Sequence, residues 1–148
     1  MTLRTKAIMA LVLAGGALFG VQTPVQAAPP TCNQIFSVRY VGSESSEGVI
    51  AVPAAARSLN GTSCVMGVGA RSDAVERLQW TLINCYFASV NPDGIFGPQT
   101  REALKSAQRA ERITADGIYG PVTRDKLDWN AGPTRDYPCV RVNGPGGA

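Results

Sequence analysis

From Ser72 onward, apolar residues recur at three- and four-residue spacing: Val75, Leu78, Leu82 and Tyr86 fall on one stripe, while Asp73, Glu76 and Arg77 lie mostly off it. That period predicts an amphipathic helix, with Asp73 and Glu76 at capping-box spacing and Ser72 as the alternative N-cap. Trp80 and Ile83 fall off the stripe, so a second face needs a cover. Residues 28–69 are the natural candidate. They are rich in Ser, Gly, Pro and Val and show no helical period; only 35–41 and 49–52 read as short extended pieces. Asn60-Gly61 reads as a tight turn, in preference to the glycosylation acceptor that Asn60-Gly61-Thr62 also spells.

Beyond the first helix one phrase occurs twice. Asp93-Gly-Ile-Phe-Gly-Pro-Gln-Thr-Arg-Glu-Ala-Leu104 and Asp116-Gly-Ile-Tyr-Gly-Pro-Val-Thr-Arg-Asp-Lys-Leu127 start 23 residues apart. Such a match marks one structural unit used twice. Asp93-Gly94 and Asp116-Gly117 predict tight turns, because glycine accepts positive φ and the aspartate accepts hydrogen bonds from nearby amides. Ile95 and Ile118 are expected to point inward. Gly97-Pro98 and Gly120-Pro121 place proline at the first helical position, where its missing N–H is not needed. Thr100 and Thr123 follow in the first turn, where a hydroxyl can meet unpaired amides. One helix is expected from Pro98 to about Glu111, with Ala103, Leu104 and Ala107 inward; the other from Pro121 to about Trp129, with Leu127 inward, ends before Gly132-Pro133. The unit also reaches backward, since Leu78-Gln79 precedes the first copy much as Ala107-Gln108 precedes the second. In the Gly- and Pro-rich tail only Cys139 offers a fastening, and 142–148 is expected to be mobile.

Composition adds a compartment. Arg4 and Lys6, the uncharged run 7–20 and the small-residue exit at 25–27 are ordered as in a secretory signal peptide, and the run is shorter than the about 20 residues a bilayer span needs. Cleavage is expected after Ala27 or Ala28, and losing Arg4 and Lys6 lowers the formal charge from +3 to +1. The remaining charges are interspersed in sign, which argues against nucleic acid and against a polybasic membrane anchor. The four cysteines, Cys32, Cys64, Cys85 and Cys139, form no CxxC pair and have no histidine to join them, so in an exported chain they read as two disulfides. Of the three pairings, Cys32–Cys64 with Cys85–Cys139 is favoured: one bridge closes the N-terminal segment and the other fastens the tail.

The same inventory argues against catalysis. Lack of histidine removes the usual triads and the common zinc hydrolase sets. Glu44, Glu47, Glu76, Glu102 and Glu111 read as solvated charge rather than as a glycosidase pair. With Asp93 at the fifth position of a calcium loop the twelfth would be Thr100, and in the second copy Thr123, where a bidentate glutamate is needed. No enzyme, no metal and no cofactor are expected.

Val75, Leu78-Gln79, Asp93 to Thr100, Ala107-Gln108 and Asp116 to Thr123 resemble, in order and spacing, the peptidoglycan-binding domain family of small three-helix modules. The matching motif residues are Gln79, Asp93, Gly94, Gly97, Thr100, Gln108, Asp116, Gly117, Gly120 and Thr123. Cys85 near the end of the first helix, the bridged arm and the signal peptide further resemble secreted versions from actinobacteria. Two departures stand out: Ala107 replaces the family's usual Phe, leaving space for Trp80 or Trp129, and Tyr86 and Arg112 stand where the family often has a helix-ending glycine. The resemblance and the periodicity together imply a mainly α fold, a small three-helix bundle with an N-terminal disulfide-bridged extended arm able to form a short β-hairpin. The expected organisation is a signal peptide over 1–27, the arm packed on the module over 28–69, the peptidoglycan-binding-like domain over 70–131 and the tail over 132–148.

With its signal peptide the protein is expected to be secreted, extracellular or wall-associated, and it is expected to be a monomer. By the same resemblance it would be a non-catalytic binder of peptidoglycan, through the glycan strand or the stem peptide, with no nucleic-acid partner and no membrane partner in the mature form. The alternative is an accessory or inhibitory protein that uses the same scaffold to bind another protein, such as a wall hydrolase. Family contacts are not sharply defined by motif, so site candidates come from chemistry: aromatic faces for sugars and guanidinium groups for carboxylates single out Tyr86, Tyr119, Arg101 and Arg124.

Overall fold

The computed structural model describes residues 28–41, 47–55, 62–132 and 134–142. The expected signal peptide, the Asn60-Gly61 turn and residues 143–148 of the tail lie outside them. The described elements are β1 (Gln34–Val41), β2 (Glu47–Ala54), α1 (Asp73–Tyr86), α2 (Pro98–Ala110), α3 (Pro121–Lys126), β3 (Trp129–Asn130) and β4 (Cys139–Val140).

This corrects the expected fold class. The protein is not mainly α with an arm: three short helices share the core with two antiparallel two-stranded sheets, β1–β2 and β3–β4. The first sheet pairs continuously from Gln34↔Ala54 to Val41↔Glu47. Along β2 the period-two alternation buries Ile50 and Val52 and exposes Val49, so one sheet face becomes a layer of the core packed on α1. The second sheet has two residues per strand, Trp129↔Val140 and Asn130↔Cys139. It takes Trp129 out of the helix expected there: α3 stops at Lys126, and Leu127 is already extended at φ −69° and ψ 144°.

Burial explains most of the rest. Val75, Leu78 and Leu82 of α1, Leu104 and Ala107 of α2, and Leu127 are sealed together with Ile50 and Val52. Trp129 joins them edge-to-face on Tyr119, with ring centroids 6.1 Å apart, whereas Trp80 stays 39% exposed. Of the two tryptophans offered for the space beside Ala107, only Trp129 is in the core. Arg77 ties α1 to both sheets, its Nε donating to the Ala51 carbonyl at 2.7 Å and its Nη2 to the Asn130 carbonyl. The disulfides are Cys32–Cys64 and Cys85–Cys139, the pairing favoured from the sequence.

One segment spans both repeat copies. Met66 and Tyr119 exchange backbone hydrogen bonds at 3.0 and 2.9 Å, and a few residues on Phe96 N–H donates to the Ala70 carbonyl at 2.9 Å while Ser72 N–H donates to the Gly94 carbonyl at 3.1 Å. Residues 66–72 thus form a strut that receives the same part of each copy. It delivers the chain to Ser72, the N-cap of α1, whose hydroxyl donates to the Cys32 carbonyl at 3.4 Å rather than capping the helix.

Candidate functional site

Each copy is built around a buried glutamine. Gln79 Nε2 donates to Asp93 Oδ1 at 2.9 Å, the Ile95 carbonyl at 3.0 Å and Thr100 Oγ1 at 3.1 Å, while its Oε1 accepts from Gly94 N–H at 2.9 Å. Gln108 repeats the arrangement with Asp116 Oδ1 at 2.9 Å, the Ile118 carbonyl at 3.0 Å, Thr123 Oγ1 at 3.2 Å and Gly117 N–H at 2.8 Å. The aspartates close the turns by accepting from Ile95 and Ile118 N–H, each at 2.9 Å. Gly94 and Gly117 sit at φ +70° and +71°, which glycine alone adopts freely, and a Cβ on Gly117 would lie 2.6 Å from Arg101 Cγ.

Two local expectations change. Ile95 and Ile118 do not point inward; they are 38% and 50% exposed, and the next residues, Phe96 and Tyr119, are the sealed anchors. The isoleucine backbone is consumed by Asp and Gln, and in extended chain the following side chain takes the opposite side. Nor do the threonines meet first-turn amides. Thr100 and Thr123 donate back to the Ile95 and Ile118 carbonyls at 3.4 and 3.3 Å, and receive the glutamine amides instead.

The knot has a pH signature. Gln79 first, then the Ile95 amide, hold the Asp93 carboxyl below its usual value of 3.8. A depressed folded pKa means that the contribution is fully present above the unfolded value and is lost as pH falls through the folded one. Denaturant unfolding between neutral pH and the acid limb is expected to show this loss setting in around pH 3.8 and continuing below it. Asp93→Asn should flatten the limb, and an unchanged limb in that variant would refute the assignment.

The four residues singled out for binding have different fates. Tyr119 is fully buried, with its hydroxyl unpartnered among the described residues and its pKa pushed well up by burial. Its ring fills the core, as Phe96 does in the other copy, and offers no face to a ligand. Tyr86 is half-buried; its hydroxyl donates to Glu111 Oε1 at 2.8 Å and accepts from Asp128 N–H at 2.7 Å, and burial raises its pKa, so it stays a protonated donor. Arg141 completes that network by reaching Glu111 and Asp128, which locks the ends of α1 and α2 to the start of β3. Arg124 is held by Asp125 and by Thr62 Oγ1. Arg101 alone among them is exposed and makes no hydrogen bond or ion pair through its guanidinium among the described residues. Its stem lies on Gly117, and it borders a groove of about 580 Å³ walled by Thr31, Val65, Val68 and Ile118.

A second groove, of about 520 Å³, lies between 86–90 and α2. Phe87 at its edge was not foreseen: the left-handed residue that ends α1 is Phe87, at φ 55°, one position past Tyr86, while Arg112 ends α2 at φ 56°. Among the described residues no cluster of three or more His, Cys, Asp or Glu could hold a metal, and no helix is long and apolar enough to cross a membrane.

A crystal structure of a peptidoglycan-binding protein from Clostridioides difficile, in complex with glutamine hydroxamate, is 24% identical over 62% of this chain and 56% of its own, with a TM-score of 0.44. A periplasmic domain of the EpsAB fusion protein of the Vibrio vulnificus type II secretion system is 22% identical over 53% of this chain and 33% of its own, with a TM-score of 0.39. The chain therefore spans just over half the length of the first of these. No curated protein matches it. The span that encloses both glutamine knots, residues 71–127, matches the family model of a peptidoglycan binding domain.

Proposed function

We propose that the protein is a secreted, non-catalytic binder of bacterial cell-wall peptidoglycan. The observation that carries this reading is the family match over 71–127, whose ends fall just outside the paired Gln-Asp-Gly-Thr knots. Two disulfides suit an extracytoplasmic setting. The domain division that follows has the 28–69 segment acting with the module, because its sheet packs on α1 and its bridge closes against the strut.

Arg101 is the binding residue on this reading. Its free guanidinium beside Val65, Val68 and Ile118 suits a carboxylate that ends a short peptide with small apolar side chains, the chemistry of a stem peptide. The purified protein at micromolar concentration should co-sediment with insoluble peptidoglycan, and Arg101→Gln should lower the bound fraction without lowering Tm. Protein that stays in the supernatant would sink the reading. Capture of a wall hydrolase from culture supernatant under those conditions would favour the accessory role instead.

A further inference from the structure

We infer that the groove between the end of α1 and α2 takes the sugar strand of an N-acetylated glycan, with Phe87 as its stacking platform. This deepens the peptidoglycan reading and rests on it. The two copies make the same hydrogen bonds but differ in spacing: Gln79 and Asp93 are 14 residues apart, Gln108 and Asp116 only 8. The longer connection carries a wall that includes Phe87, Ser89 and Val90, facing Gln99, Glu102 and Ser106 of α2 across the groove. The repeat explains the fold of both copies, and the departure from repetition lies where the groove is.

Phe87 is placed at a disadvantage. It is 78% exposed, and a bulky residue at φ 55° costs about 1 kcal/mol in backbone strain. Packing returns little: among the described residues the ring's partner is a cation, the Arg135 guanidinium, 5.7 Å from the ring centroid. Both are held in place, because Cys85, two residues before Phe87, is bridged to Cys139, four residues after Arg135. An exposed ring is thereby fixed at the mouth of a groove.

The opposite wall selects the occupant. Ala103 and Ala110 keep it open, while the Gln99 amide and the Glu102 carboxylate, steadied by Lys105, supply donors and acceptors; the Ser106 hydroxyl already donates to the Glu102 carbonyl and accepts from Arg109. A pyranose has a C–H face for the negative face of an aromatic ring and a rim of hydroxyl and acetamido groups for such side chains. Glu102 and Lys105 pair with each other at 2.9 Å, so neither presents a free charge to the groove, which suits an uncharged sugar. Beyond Phe87, Val90 and the half-buried Tyr86, the lining is alanine and polar side chains, without the run of large apolar residues that a partner helix or a lipid surface would need.

Calorimetric titration of the purified protein with the uncharged tetramer of N-acetylglucosamine tests the inference. Phe87→Gly is the informative variant, because glycine accepts φ 55° and Tm should stay level or rise. The tetramer should bind the parent protein, and the variant should bind about tenfold more weakly or worse. Equal affinity in the variant overturns the inference, as does a parent protein that sediments with peptidoglycan yet gives no heat with the tetramer; both leave wall binding intact. Failure of the parent in sedimentation and titration alike removes the peptidoglycan reading and this inference with it.

Discussion

Replacing Gln108 with leucine is expected to destabilise the protein by about 3–5 kcal/mol, although leucine nearly matches its volume. The loss comes from the partners left behind. Gly117 N–H is buried and loses its acceptor, and the Ile118 carbonyl, Asp116 and Thr123 lose a donor. Gln79→Leu should cost less, because the Gly94 amide lies closer to water than the Gly117 amide does. Urea unfolding of the two variants checks both the size and the order; a loss under about 1 kcal/mol for Gln108→Leu would show that the turn holds itself.

The second large effect belongs to the tail. In the loop-entropy model a bridge across 54 residues stabilises by about 4 kcal/mol, so Cys85→Ala with Cys139→Ala should lower stability by that amount. More than entropy is at stake, since β4 is two residues long and among the described residues pairs with β3 alone. Hydrogen exchange at Trp129 and Val140 should quicken in the double variant before the helices respond. Unchanged protection at those amides would mean that Arg141, through Glu111 and Asp128, holds the tail without the bridge.

Much of this was legible in the sequence where chemistry allows one solution. Gly97-Pro98 and Gly120-Pro121 begin α2 and α3 because proline fits only the first turn. The Gln, Asp, Gly and Thr set was visible as a recurring order, although its meaning, one amide serving three oxygens, needs three dimensions. What stayed hidden depended on competition between neighbours. Ile95 and Phe96 are both apolar, and only the capture of the isoleucine backbone decides which side chain faces inward. β3 and β4 are too short to carry a period, so Trp129 read as the end of a helix. The left-handed residue fell one place past Tyr86, because the Tyr86 hydroxyl is committed to Glu111 and Asp128. Of the proposed site, Arg101 was visible by residue type, whereas Phe87 had no sequence signal except its place in the longer connection.

The strut over 66–72 has a consequence for how such a protein can change. In a solenoid each repeat is completed by the next, so copies can be added at will. Here both copies are completed by a single shared segment, Tyr119 at Met66 and Phe96 at Ala70. An added third copy would find no strand to receive it and would leave its aromatic anchor in water. The pair is a closed set: its lineage can enlarge only by duplicating the entire domain, or by varying the connections between glutamine and aspartate, which is where its two copies already differ.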